Sequence, residues 1–244
     1  MPLLETREVS VRFGGHMAVN AVDLSVEEGA ITGLIGPNGA GKTTTFNVIT
    51  GLQPLSRGKV SLGGTDITKL SAHKRAKAGI ARTFQRLELF GSLSVRDNVL
   101  IAAELNQVGG QSPGAASDAL LDRVGLSDQA SQRADSLSTG NARLVELARA
   151  LACRPRVLLL DEPASGLDDN ETDVFADILT DLASEGLAIL LVEHDVPLVM
   201  RLCAQITVLN FGEVLATGTP HEIQQDRTVI DAYLGQGTDV GEDA

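Results

Sequence analysis

The chain has 244 residues, 43% of them apolar, and its 20 basic and 32 acidic side chains give a net charge of −12. This apolar content supports a folded core and excludes disorder of the whole chain, while the negative charge argues against a general binder of nucleic acids or anionic membranes. The longest apolar run has six residues, whereas a membrane-spanning helix needs about 20.

The first strand patterns, over 9–13 and 21–26, alternate apolar and polar side chains and include acidic residues. With a third pattern over 59–62 they predict an antiparallel β layer. Residues 31–35 are almost wholly apolar, which is typical of a parallel strand covered on both faces. Similar apolar runs occur at 79–84, 157–160, 187–192 and 206–209, and helical patterns at 42–51, 170–184 and 197–203. This alternation predicts an α/β fold with a mixed or parallel sheet at its core.

Residues 36–43 read Gly-Pro-Asn-Gly-Ala-Gly-Lys-Thr and match the phosphate-loop pattern G-x-x-x-x-G-K-[ST] between a strand and a helix. The glycines allow backbone N–H groups to turn toward a phosphate, and the helix N-terminus favours negative charge. Lys42 offers a positive charge to the β and γ phosphates, and Thr43 offers a hydroxyl to Mg²⁺. The residues expected to bind nucleotide phosphates are Gly36, Pro37, Asn38, Gly39, Ala40, Gly41, Lys42, Thr43 and Thr44.

Residues 87–150 interrupt the α/β alternation with three helical patterns, at 95–105, 115–124 and 141–151, and no convincing strand. We predict a helical subdomain inserted into a nucleotide-binding core. That core consists of residues 1–86 and 151–235. Within the insertion, 106–117 is rich in Gly, Ser and Gln and predicts a surface loop. The last residues, 236–244, are acidic and Gly-containing, and we expect a disordered tail.

The apolar run 157–160 ends in two adjacent carboxylates, Asp161 and Glu162. In an open parallel sheet, ligands bind at the carboxyl ends of the strands. Asp161 is therefore a candidate to hold Mg²⁺ through its water shell, and Glu162 a candidate to orient or deprotonate an attacking water. A solvated turn after a strand is the alternative, which the upstream phosphate loop disfavours.

Taken together, the ordered motifs resemble the nucleotide-binding subunit of an ABC transporter, a P-loop NTPase. After the phosphate loop come Gln85 at the end of a strand pattern, then Leu137-Ser-Thr-Gly-Asn141 opening a helix. The pair Asp161-Glu162 follows, then a loop ending in Asp168, and finally His194 after a strand. The match covers nearly the whole chain. A lone Gln or His is more often plain surface, so the order of the set carries the resemblance.

The resemblance implies ATP and Mg²⁺ as ligands. Gln85 would contact the metal or its water, His194 would donate a hydrogen bond to the γ-phosphate, and Glu162 would act on the attacking water. The implied Mg²⁺ ligands are Thr43, Gln85 and Asp161. Phe13 would stack on adenine, although a core position on a strand is the alternative.

The segment 138–141 occupies the place of the family's signature sequence at a helix N-terminus. The resemblance implies that it caps the ATP of a second nucleotide-binding subunit, either the same chain or a paralogue, and that Asp168 lies in an inter-subunit loop. The signature residues are Ser138, Thr139, Gly140 and Asn141. Thr139 and Asn141 depart from the usual Leu-Ser-Gly-Gly-Gln, which puts the contact of the fifth position in doubt.

Four stretches resemble the ATP-binding subunits of branched-chain amino-acid importers: 12–15, 81–85, 192–195 and 231–235. Such a complex would have two transmembrane permeases and an external solute-binding protein, and this subunit would lie in the cytoplasm at the inner face of the membrane. The segment 86–95 would lie near the permeases. No nucleic-acid partner is expected.

Three alternatives remain open: an ATPase of a urea or amide importer, an ATPase of a lipid or drug exporter, and a soluble non-transport ABC protein. The last is disfavoured because only about 75 residues separate Gln85 from Asp161, too few for a long coiled coil, and because the chain has one phosphate loop.

The charge is uneven, since residues 1–156 carry 18 basic and 14 acidic side chains and residues 157–244 carry 2 and 18. The basic run 69–86 predicts a solvated helix, with contact to a permease or lipid surface as the alternative. Helically spaced acids in the second part predict a solvated helix face: Asp173, Asp177 and Asp181.

Overall fold

The computed structural model describes residues 2–106 and 111–234. The predicted disordered tail, 236–244, lies outside the described residues, as does part of the predicted surface loop. Among the described residues, no helix combines the length and the apolar character needed to cross a membrane.

A six-stranded sheet with the order β10-β9-β3-β8-β7-β6 forms the centre of the fold. Its strands are β3 (Ile31–Ile35), β6 (Ile80–Arg82), β7 (Val157–Asp161), β8 (Ala188–Val192), β9 (Gln205–Asn210) and β10 (Glu213–Gly218). The first five are parallel to one another, and β10 pairs antiparallel with β9 at the edge. The pattern of apolar runs therefore predicted the parallel core correctly. The half-exposed edge strand β10 lacks an apolar run and was not predicted.

A second, four-stranded sheet is wholly antiparallel and has the order β2-β1-β4-β5. Its strands are β1 (Leu4–Phe13), β2 (His16–Val26), β4 (Arg57–Leu62) and β5 (Thr65–Asp66). Leu4 pairs with Val26 on one side and with Leu62 on the other, so apolar residues of three strands share one face. The predicted antiparallel layer is confirmed.

Nine helices occur in the described ranges, together with 3₁₀ turns at Ser127–Gln129 and Ala134–Ser136 and a π turn at Ile230–Leu234. The helices are α1 (Lys42–Thr50), α2 (Ala72–Lys77), α3 (Val95–Leu105), α4 (Pro113–Arg123), α5 (Thr139–Ala152), α6 (Asp169–Ser184), α7 (Val196–Leu202), α8 (Pro220–Gln225) and α9 (Arg227–Val229). Helices α3, α4 and α5 follow one another between β6 and β7. Their separation from the core as a subdomain stays a prediction.

The predicted loop over 106–117 is wrong from Pro113 onward, because a helix starts there. Ser112 caps it, since its hydroxyl accepts a hydrogen bond from the Ala115 N–H at 3.2 Å. Proline at the first helical position adds a pre-set φ where no N–H is needed. The Gly and Ser content of the segment is typical of loops, so the pattern did not indicate a helix start.

The two faces of the six-stranded sheet bury different partners. Leu158 and Leu160 point into a cluster formed with α3, α5 and α6, whereas Leu159 points into a cluster formed with α1 and the antiparallel sheet. Alternate residues of a strand point to opposite faces, so β7 contributes to both clusters. The sheet is therefore a buried middle layer, and the carboxyl ends of β3, β7 and β8 lie at one edge, where ligands bind in open parallel sheets.

The predicted solvated helix over 69–86 is wrong for Arg75, whose side chain is buried. Its guanidinium donates hydrogen bonds to Val48 O at 2.6 Å and Ile49 O at 2.8 Å, two carbonyls in the last turn of α1. It also donates to Leu70 O at 3.1 Å and Thr68 O at 2.7 Å. One basic residue of this run therefore holds the phosphate-loop helix.

The predicted acidic face of α6 is confirmed as exposed.

Replacing Arg75 with Met is expected to lower the free energy of unfolding by about 2–4 kcal/mol, because four carbonyls lose a charged donor. The measurement is urea unfolding followed by circular dichroism. Arg57→Met, at an exposed arginine paired only with Glu8, is the control and should change stability by at most about 0.5 kcal/mol. Equal effects of the two substitutions would contradict the assignment.

Candidate functional site

The loop between β3 and α1 forms a cradle of backbone with positive φ values at three glycines. At Gly36, a Cβ atom would lie 2.1 Å from Leu209 O, so only glycine allows this close approach to the end of β9. At Gly39, φ is +81° and a Cβ atom would point into open space. The loop is thus shaped from behind by β9 and open on the side where a phosphate would enter.

Helix α1 begins directly at this cradle with Gly41 as its N-cap residue. No side chain caps the helix, and no acidic residue lies in its first turn. The N–H groups of Thr43 and Thr44 therefore have no side-chain acceptor competing for them, and the helix end favours an anion. This geometry fits a phosphate group.

Lys42 is buried, and its ammonium group lies inside the loop. Nζ donates hydrogen bonds to Gly36 O at 2.6 Å and Pro37 O at 3.0 Å. Burial lowers the pKa of Lys42, and the charges of Glu162 and Asp161 oppose that shift. A phosphate entering the loop would meet a lysine already held at the centre of the cradle.

The two adjacent carboxylates lie at the end of β7. Asp161 is 4% exposed, and Arg82 Nη2 donates to its Oδ2 at 2.6 Å. Glu162 has a φ of +51°, a left-handed conformation unusual for a residue with a side chain. Its N–H still donates to Val192 O at 2.8 Å, so the chain turns only after the strand pairing is complete. Backbone strain of this kind clusters at functional sites.

Three predicted catalytic residues from separate segments meet at a single oxygen atom. Glu162 Oε2 accepts a hydrogen bond from Gln85 Nε2 at 2.5 Å, and His194 Nε2 lies 2.9 Å from the same oxygen. The Glu162 side chain is 12% exposed and that of His194 is 51% exposed. The structure therefore brings these residues together, with a solvent-accessible imidazole on one side of a largely buried carboxylate.

The signature residues lie at the start of α5. Ser138 is the N-cap residue, and its hydroxyl accepts from the Asn141 N–H at 3.2 Å. The Asn141 side chain donates to Gln129 Oε1 at 2.9 Å. Asn141, one of the two residues that depart from the family pattern, therefore contacts the 3₁₀ turn Ser127–Gln129 of the same chain. A Cβ atom at Gly140 would lie 2.3 Å from a carboxylate oxygen of Glu171, so α6 approaches closely here.

The remaining predicted site residues lie around these groups. Asp168 caps α6, since its Oδ1 accepts from Glu171 N–H at 2.8 Å. A Cβ atom at Gly166 would lie 3.2 Å from Thr139, so the loop containing Asp168 neighbours the signature segment within one chain. Phe13 ends β1 and is 49% exposed, which is inconsistent with a core position and leaves its ring free for stacking.

Glu193 is a buried residue to which sequence reasoning assigned no role. Its Oε1 accepts from Ala164 N–H at 2.7 Å and its Oε2 from His194 N–H at 3.2 Å. It therefore ties the backbone after Glu162 to the backbone of His194. Burial raises the pKa of Glu193. The only signal in the sequence was an acidic residue directly after an apolar strand, which solvated turns also show.

Arg82, Arg143 and Glu146 are three further residues near the site that sequence reasoning did not single out. All three side chains are at most 8% exposed. Arg143 and Glu146 form an ion pair of 2.9 Å on α5. Burial raises the pKa of Glu146. A buried charge cannot be told from a surface charge by helical spacing alone.

The donor set at the site suits Mg²⁺ only together with a nucleotide. Hydroxyl, amide and carboxylate oxygens, which Thr43, Gln85 and Asp161 supply, are ligands for a hard cation. Within residues 2–106 and 111–234, no three His, Cys, Asp or Glu side chains cluster closely enough to hold a metal by themselves. Mg²⁺ commonly uses one or two carboxylates and the phosphates of its substrate, and these residues fit that arrangement.

Comparison with protein families gives two matches. The family described as "ABC transporter" matches residues 19–165, and the family described as "Branched-chain amino acid ATP-binding cassette transporter" matches residues 213–239. The first match spans the phosphate loop, the signature segment and the carboxylate pair. The second covers the C-terminal part from β10 onward.

Two curated relatives show the range of similar proteins. The chain is 41% identical to the high-affinity branched-chain amino acid transport ATP-binding protein BraF of Pseudomonas aeruginosa, covering 96% of this chain and 98% of that protein. It is 35% identical to the lipopolysaccharide export system ATP-binding protein LptB of Escherichia coli (strain K12), covering 97% and 98%.

Solved structures of ATP-binding cassettes have the same fold. The ADP conformation of MJ1267, an ATP-binding cassette of an ABC transporter, superposes with a TM-score of 0.87 at 28% identity, covering 96% of this chain and 99% of that one. A dimeric post-hydrolysis state of the cassette MJ0796 bound to ADP and Pi superposes with a TM-score of 0.80 at 26% identity, covering 89% and 98%.

Lys42→Ala is expected to weaken ATP binding about 10- to 100-fold, because the phosphates lose a charged donor in a buried loop. The measurement is isothermal titration calorimetry with ATP. Lys59→Ala, at an exposed position on β4, is the matched control and should leave the affinity unchanged. Unchanged affinity in Lys42→Ala would refute the assignment of this loop to phosphate binding.

Proposed function

The chain belongs to the family of ABC transporter ATP-binding subunits, and from this premise we propose that it hydrolyses ATP to power the import of branched-chain amino acids. The observation that carries the proposal is the 41% identity to BraF over 96% of the chain. The match of residues 213–239 to the branched-chain amino acid family supports the same solute class independently.

An exporter of lipopolysaccharide type is the second candidate, because LptB is also similar along almost its whole length. The C-terminal match favours the importer, since it concerns a family described by its branched-chain amino acid transport. A urea or amide importer remains a third alternative. The transported solute would not touch this subunit, so nucleotide-site geometry does not discriminate among the three.

We propose that the cradle of residues 36–44 binds the ATP phosphates and that Phe13 stacks on the adenine. Lys42, already held inside the loop, would exchange its two carbonyl partners for phosphate oxygens. Thr43, Asp161 and Gln85 would hold Mg²⁺, which screens the phosphate charge when bound.

Hydrolysis is proposed to use Glu162 as the group that orients the attacking water and accepts its proton at a carboxylate oxygen. Gln85 and His194 both hold Oε2, which fixes the plane of the carboxylate. The second oxygen, Oε1, is then the one available to a water. Once ATP enters, His194, which is half exposed, would leave Oε2 and turn its Nε2 toward a γ-phosphate.

The catalytic site is proposed to be completed by a second subunit. The segment 138–141 lies beside the loop 165–168 of its own chain, and its helix N-terminus, where Ser138 caps one N–H group, favours the phosphates of an ATP bound to a partner. The dimeric MJ0796 cassette, which has the same fold, supports this assembly. The second subunit would be the same chain or a paralogue.

Coupling to membrane permeases is proposed to run through the segment after Gln85. Arg143 on α5 donates to Phe84 O at 3.1 Å and Gln85 O at 2.7 Å. Glu146, also on α5, accepts from Glu88 N–H at 3.0 Å. The signature helix is therefore bonded directly to the start of segment 86–95, so a permease pressing on that segment would move the signature.

The segment 86–95 exposes an apolar side chain to solvent. Phe90 is 48% exposed, and the Arg149 guanidinium lies 5.0 Å from the centre of its ring. An aromatic held flat by a cation is a suitable contact for a permease helix. We propose that each of the two ATP-binding subunits docks one permease here and is held at the cytoplasmic face of the membrane, with a solute-binding protein on the opposite side.

Glu162→Gln is expected to bind ATP within about threefold of the unmodified chain and to hydrolyse it at least about 100-fold more slowly, because the proton acceptor is lost. ATP should then accumulate with the chain as a dimer in size-exclusion chromatography. Asp177→Asn, an exposed carboxylate on α6, is the control and should hydrolyse ATP normally. Normal turnover by Glu162→Gln would mean that another group is the base.

Host cells that lack this chain are expected to lose uptake of radiolabelled leucine, because the importer loses its energy source. The unmodified chain on a plasmid should restore uptake, and Glu162→Gln should not. Uptake of labelled urea in the same cells is the control. Loss of urea uptake with intact leucine uptake would favour the urea importer, and a lipopolysaccharide defect with both uptakes intact would favour the exporter.

A further inference from the structure

Arg82 is a buried cation at the end of β6, next to the nucleotide site. In the sheet it pairs with Leu159 of β7, so its side chain reaches the end of that strand, where Asp161 lies. The side chain is 8% exposed, and the carboxylate it meets is 6% exposed. The pair is therefore almost wholly removed from water.

The guanidinium group of Arg82 is fixed by four neighbours. Nη2 donates to Asp161 Oδ2 at 2.6 Å, and Nη1 donates to Asn47 Oδ1 on α1 at 2.6 Å. The ring centres of Phe46 and Phe84 lie 5.4 Å and 5.0 Å from its central carbon. Arg82 thus joins the phosphate-loop helix, the end of β7 and the residue before Gln85.

Stability alone does not account for such a pair. The free energy needed to remove two charges from water is about as large as the gain from their attraction. Apolar residues of similar volume therefore usually stabilise a core equally well. Arg82 Nε, moreover, has no hydrogen-bond partner among the described residues, which adds to the cost. The pair is therefore best explained by what it does to Asp161.

Asp161 has a second cation within electrostatic range. Burial lowers the pKa of Lys42, and the nearby charges of Glu162 and Asp161 oppose that shift. Lys42 nevertheless donates to two loop carbonyls, while Oδ2 of Asp161 is occupied by Arg82. Without Arg82, Asp161 would be an unpaired buried carboxylate that competes with the two loop carbonyls for the lysine, because buried charges pair where they can.

We propose that Arg82 is a positioning residue that holds Asp161 away from Lys42, keeping the lysine available for phosphate and one carboxylate oxygen of Asp161 available for Mg²⁺. The inference rests on the proposed function, since it assumes that this loop binds ATP. Arg82 itself would touch neither ATP nor the metal. Its proposed action on the phosphate site is through Asp161, which substitution of both residues tests, whereas substitution of Asn47 tests the bond to α1.

The experiment measures ATP affinity without metal, in EDTA, by calorimetry on four full-length chains: unmodified, Arg82→Met, Asp161→Asn and the double substitution. Arg82→Met is expected to weaken binding about tenfold, since ATP must then break a Lys42–Asp161 pair. In the Asp161→Asn background the same substitution should change affinity by less than about twofold, since no carboxylate remains to capture the lysine.

If Arg82 had a merely structural role, Arg82→Met would lower ATP affinity equally in the unmodified chain and in the Asp161→Asn chain. That result would overturn the proposal. So would an unchanged affinity in Arg82→Met. Asn47→Ala removes the neutral partner of Arg82 but keeps the ion pair, and should weaken binding by less than about threefold. If circular dichroism shows that Arg82→Met does not fold, Arg82→Lys replaces it. This variant should lose less ATP affinity, and again only in the chain that retains Asp161.

The outcomes also separate this inference from the function it rests on. An unmodified chain that binds no ATP would overturn both. An unmodified chain that binds ATP, together with an Arg82→Met effect that is absent or independent of Asp161, would overturn the role of Arg82 and leave the ATP site in place.

Discussion

Two adjacent, nearly buried carboxylates at the end of β7 are the constraint on which the site depends. Asp161 and Glu162 would repel each other in a dry environment, and the chain compensates each in a different way. Asp161 receives a full positive charge from Arg82, whereas Glu162 receives neutral donors and an imidazole. The backbone at Glu162 is left-handed, and the two carboxylates contact different partners.

The sheet makes this arrangement possible because four parallel strands, β3, β6, β7 and β8, end at the same edge. Each strand end contributes a different chemical group: the phosphate cradle, Arg82 with Gln85 beyond it, the carboxylate pair and His194. Two apolar clusters bury the two faces of the sheet, so closely packed side chains support the strands that end at this edge. Support of this kind holds Gln85, Glu162 and His194 within hydrogen-bond distance of one another without a ligand.

Buried arginines recur as connectors in this chain. Arg75 holds the end of the phosphate-loop helix, Arg82 links that helix to Asp161, and Arg143 links the signature helix to the segment after Gln85. All three lie before residue 157, where the basic residues are concentrated. The acidic second part carries exposed carboxylates on α6, while these three arginines use their charge inside the molecule, where their hydrogen bonds go to carbonyls and carboxylates.

The sequence by itself determined the fold class, and it predicted the main site groups, of which the structure brings Gln85, Glu162 and His194 together. Glycine spacing, the apolar runs and the pair Asp161-Glu162 are local patterns, and a phosphate cradle or a buried parallel strand is a local consequence of them. The missed edge strand β10 and the early start of α4 show the limit, since their signals are short and shared with loops.

Only the tertiary structure decided which charges are buried and what they contact. Nothing in the order of residues shows that Arg82 lies against Asp161, 79 positions later, or that Glu193 ties His194 to Ala164. These contacts depend on which strands are neighbours, and β6 pairs with β7 across three intervening helices. Strand pairing is a non-local choice set by packing, so the partners of a charged side chain become known only when the sheet is formed.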